Sequence, residues 1–502
     1  MRASGPVAHR AWAATAVVAA GLSVAVTLAI GVLGPSAVVP PLPGPAWQPP
    51  YSLDAGPAAL VVIAMEAAAV ILGAVALAAG LVAARRGWVP DPRRLLLAGC
   101  LAAAALAFLP PSGSADHLNY AAYGRMAVLG HDPYATGADA LPGDPVADAV
   151  EAPWREEPSV YGPVATAVQA LAALAGGGSV RLTIFVLAAV NAAAFVVTAL
   201  LLHRLARGDR ARQARAALLW AANPLVIYQL VAGMHVDTVA IAFVVAALAA
   251  TAAGAARGGT GWRRWAAGPL LGLGIAVKAN VGLVALGPAW ALRRRPGALA
   301  VVAGAATATV LAAYALAGPH ALDQVLHASK SISLATPWQL IKTGLQAVFG
   351  DGGYRTWIQA GSLILLVLLA ASLLRALRGP YDLAGVSRTQ AAGVAVIFVT
   401  AWLFATPYAL PWYDGLAFAL LAAVPSSALD GFAVARLAVL SMGYLPARVN
   451  EVPRELFDPL VNVLRAQVVP WILLALTIAL MWWALTAGAR GSTRRGSAAP
   501  RP

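Results

Sequence analysis

Asp116 to Pro163 reads DHLNYAAYGRMAVLGHDPYATGADALPGDPVADAVEAPWREEPSVYGP, a polar, acidic and aromatic stretch between two long apolar runs. Apolar runs of about 20 residues are long enough to cross the hydrocarbon core of a bilayer. A polar stretch between two of them therefore lies just outside the membrane. Its length and aromatic content make it a structured loop, with a carboxylate, Asp116, where the chain emerges. A carboxylate in that place can reach chemistry at the level of lipid headgroups.

Outward from this loop the chain is apolar almost throughout. It has 502 residues, 60% hydrophobic and only 11% charged, with a mean hydropathy of +0.74. Soluble domains carry roughly 25% charged residues. The fold class is therefore an all-α polytopic membrane protein. The single Cys100 lies in an apolar run, which excludes an intrachain disulfide or a cysteine zinc cluster.

Before the loop, a basic N-terminus (Met1 to Arg10) leads into an apolar run from Ala11 to Leu33, read as a retained helix and not a cleaved leader. A Pro-rich loop, Pro35 to Pro57, precedes a span ending at Arg85 and Arg86, and Leu95 to Leu109 brings the chain out to the loop. After it, Val164 to Ala175 is apolar but short. If it crossed the membrane, Arg204, Arg207, Arg210, Arg212 and Arg215 would lie outside, against the positive-inside rule. It is read as a re-entrant or interfacial helix, a form tolerated where it lines a cavity.

Leu182 to Leu205 is the next span. Others are predicted near residues 215–232, 237–255, 265–277, 280–292, 297–317, 357–377, 390–409, 413–425, 430–446 and 468–483. This makes about 12 to 14 transmembrane helices in one domain, residues 1–502, with both termini cytoplasmic. Three outer loops are expected, residues 111–163, 318–356 and 446–467, with a basic cytoplasmic tail at 489–502. The first contains interfacial helices.

Charge follows this topology. Only Asp91, Asp209, Asp382 and Asp430 of the 21 acids fall on the cytoplasmic side, together with most of the arginines. The net charge of +14 is thus a topology signal and not a nucleic-acid footprint. The three lysines, Lys278, Lys330 and Lys342, all lie away from the inner face.

Several groups could carry chemistry. Asp116, Tyr120 and Tyr123 fall at i, i+4 and i+7, on one face of an interfacial helix, with His117 beside them. Membrane anchoring alone would account for the tyrosines, and helix capping for Asp116. Tyr134 in HDPY and Tyr161 in VYGP offer flat faces that suit sugar rings. In NPLVIYQLVAGMHVD, Asn223 and Pro224 break a helix, and His235 and Asp237 lie at its outer mouth. Lys278 and Lys330 are cations with no structural need, each able to neutralise a phosphate. Trp412 and Tyr413 of PWYDG and Arg448 of the third loop complete the candidate set. No D-x-D pair, Walker A sequence, zinc spacing or nucleophile elbow occurs. A divalent metal is possible, but no sequence feature supports one.

The order of Asp116 leaving an early span, then YAAYG, HDPY, VYGP, NPL…HVD and PWYDG resembles the membrane glycosyltransferases of the GT-C superfamily. More narrowly it is similar to the bacterial polyprenol phosphomannose-dependent α-1,6-mannosyltransferases that extend lipomannan-type envelope glycans. The resemblance covers roughly Leu95 to Trp483 and is most specific in the central loop.

It implies a GT-C-like helical bundle in the bacterial plasma membrane with an extracytoplasmic active site. Polyprenyl phosphate mannose would be the donor and a lipid-linked glycan the acceptor, in contact with membrane lipids and without nucleic acid. Asp116 maps to the family's general base in an inverting transfer, and Lys278, Lys330 and Arg448 are candidates for the donor phosphate. Some relatives carry a second acid beside the first. His117 stands there in this chain, which departs from any metal-binding pair. The competing reading is a flippase or carrier. Carriers keep ionisable groups near the midplane in paired repeats, whereas this chain gathers its polar residues in three loops at one face.

Overall fold

The computed structural model describes residues 8–255, 263–328, 331–384, 389–448 and 450–496. The described residues form helices, turns and loops, with one isolated antiparallel bridge between Ser36 and Val39. Among the described residues, seven helices are long and apolar enough to cross a membrane, and five shorter apolar helices accompany them. The polytopic all-α reading therefore holds.

The long helices form for ordinary reasons. Ala, Leu and Val dominate them, and the backbone must satisfy its own hydrogen bonds where no water is present. Ala8–Leu33 and Ala59–Arg85 pack side by side as a hairpin. Asp91 caps Pro92–Ala107 by accepting from the Arg93 amide at 2.9 Å, and Pro92 fits the first turn. Ser179 caps Val180–Leu205, and Asp209 caps Arg210–Leu219. A helix of 26 residues such as Val180–Leu205 is about 39 Å long, more than the roughly 30 Å of hydrocarbon. Peripheral helices keep large apolar side chains outward, Leu363 and Ile364 of Arg355–Leu377 among them.

Several predicted spans are broken. The 215–232 stretch is an α-helix to Leu219, then a turn capped by Asn223, then a π-helix from Ile227 to Ala232. The 280–292 stretch begins as a 3₁₀ segment, Ala279–Ala285. The 413–425 stretch is a 10-residue helix, Asp414–Ala423, buried from end to end, with Asp414 paired to Arg436. The 446–467 stretch is not all loop. It is helical from Arg454 and continues through a π segment, Pro459–Val468, into Val469–Gly496. The 318–356 stretch holds two amphipathic helices, His320–Ala328 and Pro337–Phe349.

The bundle has two chemically distinct ends. At one, Arg215 pairs with Asp430 at 2.6 Å and Arg210 with Asp91 at 3.7 Å, while Arg85 donates to the Ser427 carbonyl at 3.0 Å. At the other, the loop after the first helix meets the central loop. Arg448 bridges Glu151 and the Ser36 carbonyl, and Arg181 donates to the Gln48 carbonyl at 3.1 Å. The short Pro163–Gly176 helix belongs to this second end. It starts where the Gly162 amide meets the Val277 carbonyl at 3.0 Å and finishes beside Ser179, which donates to Gln48.

Candidate active site

The central helix, Asp116–Val128, is hung from a turn that three hydrogen bonds fix. The Ser112 amide donates to the Ala232 carbonyl and the Gly113 amide to the Val38 carbonyl, each at 2.9 Å. Ser114 Oγ accepts from the Asp116 amide at 3.0 Å. Gly113 has φ +83°, and a Cβ there would lie 2.5 Å from Tyr228 Oη, so the turn requires glycine. Asp116 thereby stands at the foot of the loop with its side chain 30% exposed.

One turn along, Tyr120 Oη lies 3.4 Å from Asp116 Oδ2 and 3.3 Å from Tyr161 Oη, the two rings meeting edge to face at 5.0 Å. Opposite, His235 Nδ1 is 3.5 Å from the same carboxylate oxygen. The imidazole is stacked on Trp412 with centroids 3.6 Å apart, and its carbonyl accepts from Asn191 at 2.7 Å. Two residues on, Asp237 accepts from Lys278 Nζ at 2.7 Å. That ammonium sits 4.3 Å from the Tyr413 ring centroid and 5.8 Å from that of Tyr161, where cation–π attraction holds it. The broken helices matter here. The π-helix delivers His235 and Asp237, and the end of the Arg263–Val277 helix delivers Lys278.

Burial by itself would raise the Asp116 pKa. The imidazole of His235 close by and the Lys278 ammonium behind it outweigh it and hold the carboxylate below its usual range. Burial and the Asp116 charge push the Tyr120 hydroxyl well up, so it remains a proton donor. His117 is fully buried, and neither ring nitrogen has a partner. Burial, aided by Arg448 and His235 against Asp116, lowers its pKa to about 3, which makes it a neutral imidazole.

The structure thus brings together Asp116, Tyr120, Tyr161, His235, Asp237, Lys278, Trp412 and Tyr413. Three other candidates face elsewhere. Tyr123 Oη donates to the Glu157 carbonyl at 2.9 Å, and Tyr134 Oη pairs with Thr166 at 2.6 Å, so both anchor the loop. Arg448 is buried, with its guanidinium committed to Glu151 and Ser36. Lys330 lies outside the described residues. No group of three or more His, Cys, Asp or Glu side chains among the described residues is placed to hold a metal ion.

The sequence reading missed a second layer. Trp402 backs Tyr413, and Tyr444 meets Trp412 edge to face at 5.2 Å. Glu66 and Tyr228, both buried, hydrogen-bond to each other directly beneath Gly113. Glu66 was visible in principle. It is the lone acid of the Ala59–Arg85 helix, and an intramembrane carboxylate marks function by default.

Comparison with known proteins identifies relatives of this chain. The family profile described as "Alpha-(1->6)-mannopyranosyltransferase, N-terminal domain" matches residues 18–294. A Mycolicibacterium smegmatis protein named "Probable alpha-(1->6)-mannopyranosyltransferase" is 27% identical over 424 residues, 75% of this chain and 73% of that protein. Alpha-(1->6)-mannopyranosyltransferases A and B of Corynebacterium glutamicum are 30% and 31% identical over 139 and 145 residues. Those two matches span only 28% and 23% of the relatives' own lengths. No solved structure matches the chain. With more than half its length under the family profile and its polar groups gathered around Asp116, the chain belongs to the alpha-(1->6)-mannopyranosyltransferase family.

Proposed function

We propose that the protein is an integral membrane mannosyltransferase. It moves mannose from polyprenyl phosphate mannose to a lipid-linked, mannan-type acceptor on the extracytoplasmic face of the bacterial plasma membrane. The observation that carries this reading is the pairing of a solvent-reachable carboxylate, Asp116, with a fixed ammonium, Lys278, inside one aromatic cage.

In the proposed reaction Asp116 takes the proton of the acceptor hydroxyl as its oxygen forms a bond to the anomeric carbon. The anomeric carbon–oxygen bond to phosphate breaks, and the phosphate leaves with the electron pair. One displacement inverts the anomeric centre. Lys278 faces the charge that grows on the leaving phosphate, so it stabilises the transition state more than the ground state. Tyr120 and His235 hold the Asp116 carboxylate. Lys278 is also one of the charges that depress the Asp116 pKa. An anionic donor beside Lys278 offsets that pull and makes Asp116 a stronger base when the substrate is in place.

The test offers purified protein GDP-mannose and a polyprenyl phosphomannose in turn, with a lipid-linked mannoside acceptor. Transfer is expected from the lipid donor only, rising with prenyl length as each buried CH₂ adds about 0.8 kcal/mol. Transfer from GDP-mannose, without a polyprenyl phosphate and its synthase, overturns the donor assignment.

A further inference from the structure

The Pro-rich segment between the first two helices meets the site around Asp116 through the Val38 carbonyl, and it also walls a cavity of about 450 Å³. Pro35, Pro40, Leu42, Asp54, Asp148 and Arg181 are among the residues that line it. That volume lies within the roughly 300–1,000 Å³ of small-molecule sites. The walls are rigid because proline fixes its own backbone. Arg181 is also locked, its guanidinium donating to the Gln48 and Pro50 carbonyls. Asp54 is held at φ +50° with Ser52 donating to its carboxylate at 2.6 Å. Asp148 is exposed at the opposite loop. Among the described residues no cation pairs with the carboxylate of Asp54 or Asp148.

We propose that this cavity is a subsite for sugar units of the acceptor glycan that lie beyond the reacting hydroxyl. The proposal rests on the mannosyltransferase reading. Two unpaired carboxylates accept hydrogen bonds from the paired hydroxyls of a pyranose, and the proline and leucine walls meet its C–H faces. A phosphate or other anion would meet two acids against the single guanidinium of Arg181, whose donors already serve two backbone carbonyls. A lipid chain would strip water from them without replacing its hydrogen bonds, which is costly.

Position supports a continuous track to the reaction centre. Pro110 lines the cavity and stands six residues before Asp116, a chain length of at most roughly 20 Å. Val38, inside the same wall segment, accepts from the Gly113 amide of the turn that holds Asp116. A glycan lying from the cavity to Asp116 would therefore be gripped at both ends by one rigid unit, with less ordering cost on binding.

The experiment measures binding of α-1,6-linked mannobiose and mannotetraose to the full chain by saturation-transfer NMR and titration calorimetry, without donor. Turnover with matching lipid-linked acceptors is measured in parallel. Wild type is expected to bind mannotetraose more tightly than mannobiose. Asp54→Asn with Asp148→Asn should remove about tenfold of that advantage, while mannobiose binding and the rate on the short acceptor stay unchanged. Asparagine tolerates positive φ, so the double variant should fold. An Asp116→Asn protein should keep the length preference, which separates the subsite from the chemistry.

Equal affinity for the two lengths, or a preference untouched by the double variant, overturns the subsite even if mannose transfer is intact. A length preference in a protein that transfers no mannose to any acceptor would support the cavity as a glycan site and remove the catalytic reading instead.

Discussion

In the proposed reaction Asp116 works through its neighbours, and single substitutions should expose each of them. Asp116→Asn keeps the shape but removes the basicity, and should lower kcat about 10² to 10⁴-fold while donor binding persists. Retention of more than about a tenth of the rate would move the base elsewhere. Because the folded pKa is depressed, the ionised form persists as pH falls and is lost only on passing through that lowered value. For the free protein, whose groups kcat/KM reports, Asp116 should therefore put no acid limb on kcat/KM from about pH 7 to about pH 5.

His117 has the opposite consequence, and it bears on stability. Its imidazole is neutral when folded but takes a proton in the unfolded chain below the ordinary histidine value of 6.5. The unfolded state then binds more protons, so stability falls as pH drops from 6.5 toward about 3, by at most about 1.4 kcal/mol per unit. Thermal unfolding of His117→Leu against wild type across that range should show a shallower pH slope. Parallel slopes would mean that His117 has a partner in solution. Beneath the Gly113 turn, Glu66→Leu leaves the Tyr228 hydroxyl buried and unpaired, at a cost of about 1–3 kcal/mol. It should reduce kcat with little change in KM, and Glu66→Gln should recover most of the rate. Equal losses in both variants would mean that the charge, and not the hydrogen bond, is what matters.

At the scale of elements, the Pro163–Gly176 helix decides how the loop sits. With 14 residues it is about 21 Å long, short of the roughly 30 Å hydrocarbon core. It is pressed onto the Asp116–Val128 helix at Gly124, where a Cβ would fall 2.2 Å from the Gln169 carbonyl oxygen. Gly124→Ala should separate the two helices, lowering the melting temperature and the rate together. Gly130→Ala is the contrasting case, with φ +83° and open space around it, and should cost only local strain in the turn. A Gly124→Ala protein with wild-type melting and turnover would mean that the two helices slide freely. The same helix carries a topological prediction. Val160→Cys and Ser179→Cys, each in a Cys100→Ser background, should both be labelled by an impermeant thiol reagent from the outer face, Val160 being exposed at the loop's end. Labelling of Ser179→Cys only after permeabilisation would mean that the helix crosses.

At the scale of the molecule, the sequence by itself determined the solvent of each surface. Repeated apolar runs with few charges admit only helices in a bilayer, because buried backbone groups there must pair within their own segment. The arginine bias, read from the chain alone, reappears as one end of the bundle where Arg85, Arg210 and Arg215 meet Asp91 and Asp430. The Asp116 helix was legible because a carboxylate, two tyrosines and a glycine follow at helical spacing. His235, Asp237 and Lys278 were legible as anomalies, polar groups at broken helix ends.

What the sequence left open was which anomalies meet. Arg448 looked as free as Lys278, and each proves to have an acid: Glu151, 297 residues earlier, holds Arg448 in a buried pair away from Asp116, while Asp237 holds Lys278 between two tyrosine rings beside Asp116. Tyr123 shares the spacing of Tyr120 but turns to a loop carbonyl. The physical reason is the range of the interactions. Helix formation and membrane partition depend on neighbours a few residues away. A charge's partner, and therefore its availability for chemistry, depends on contacts made across hundreds of residues, which only the packed bundle decides.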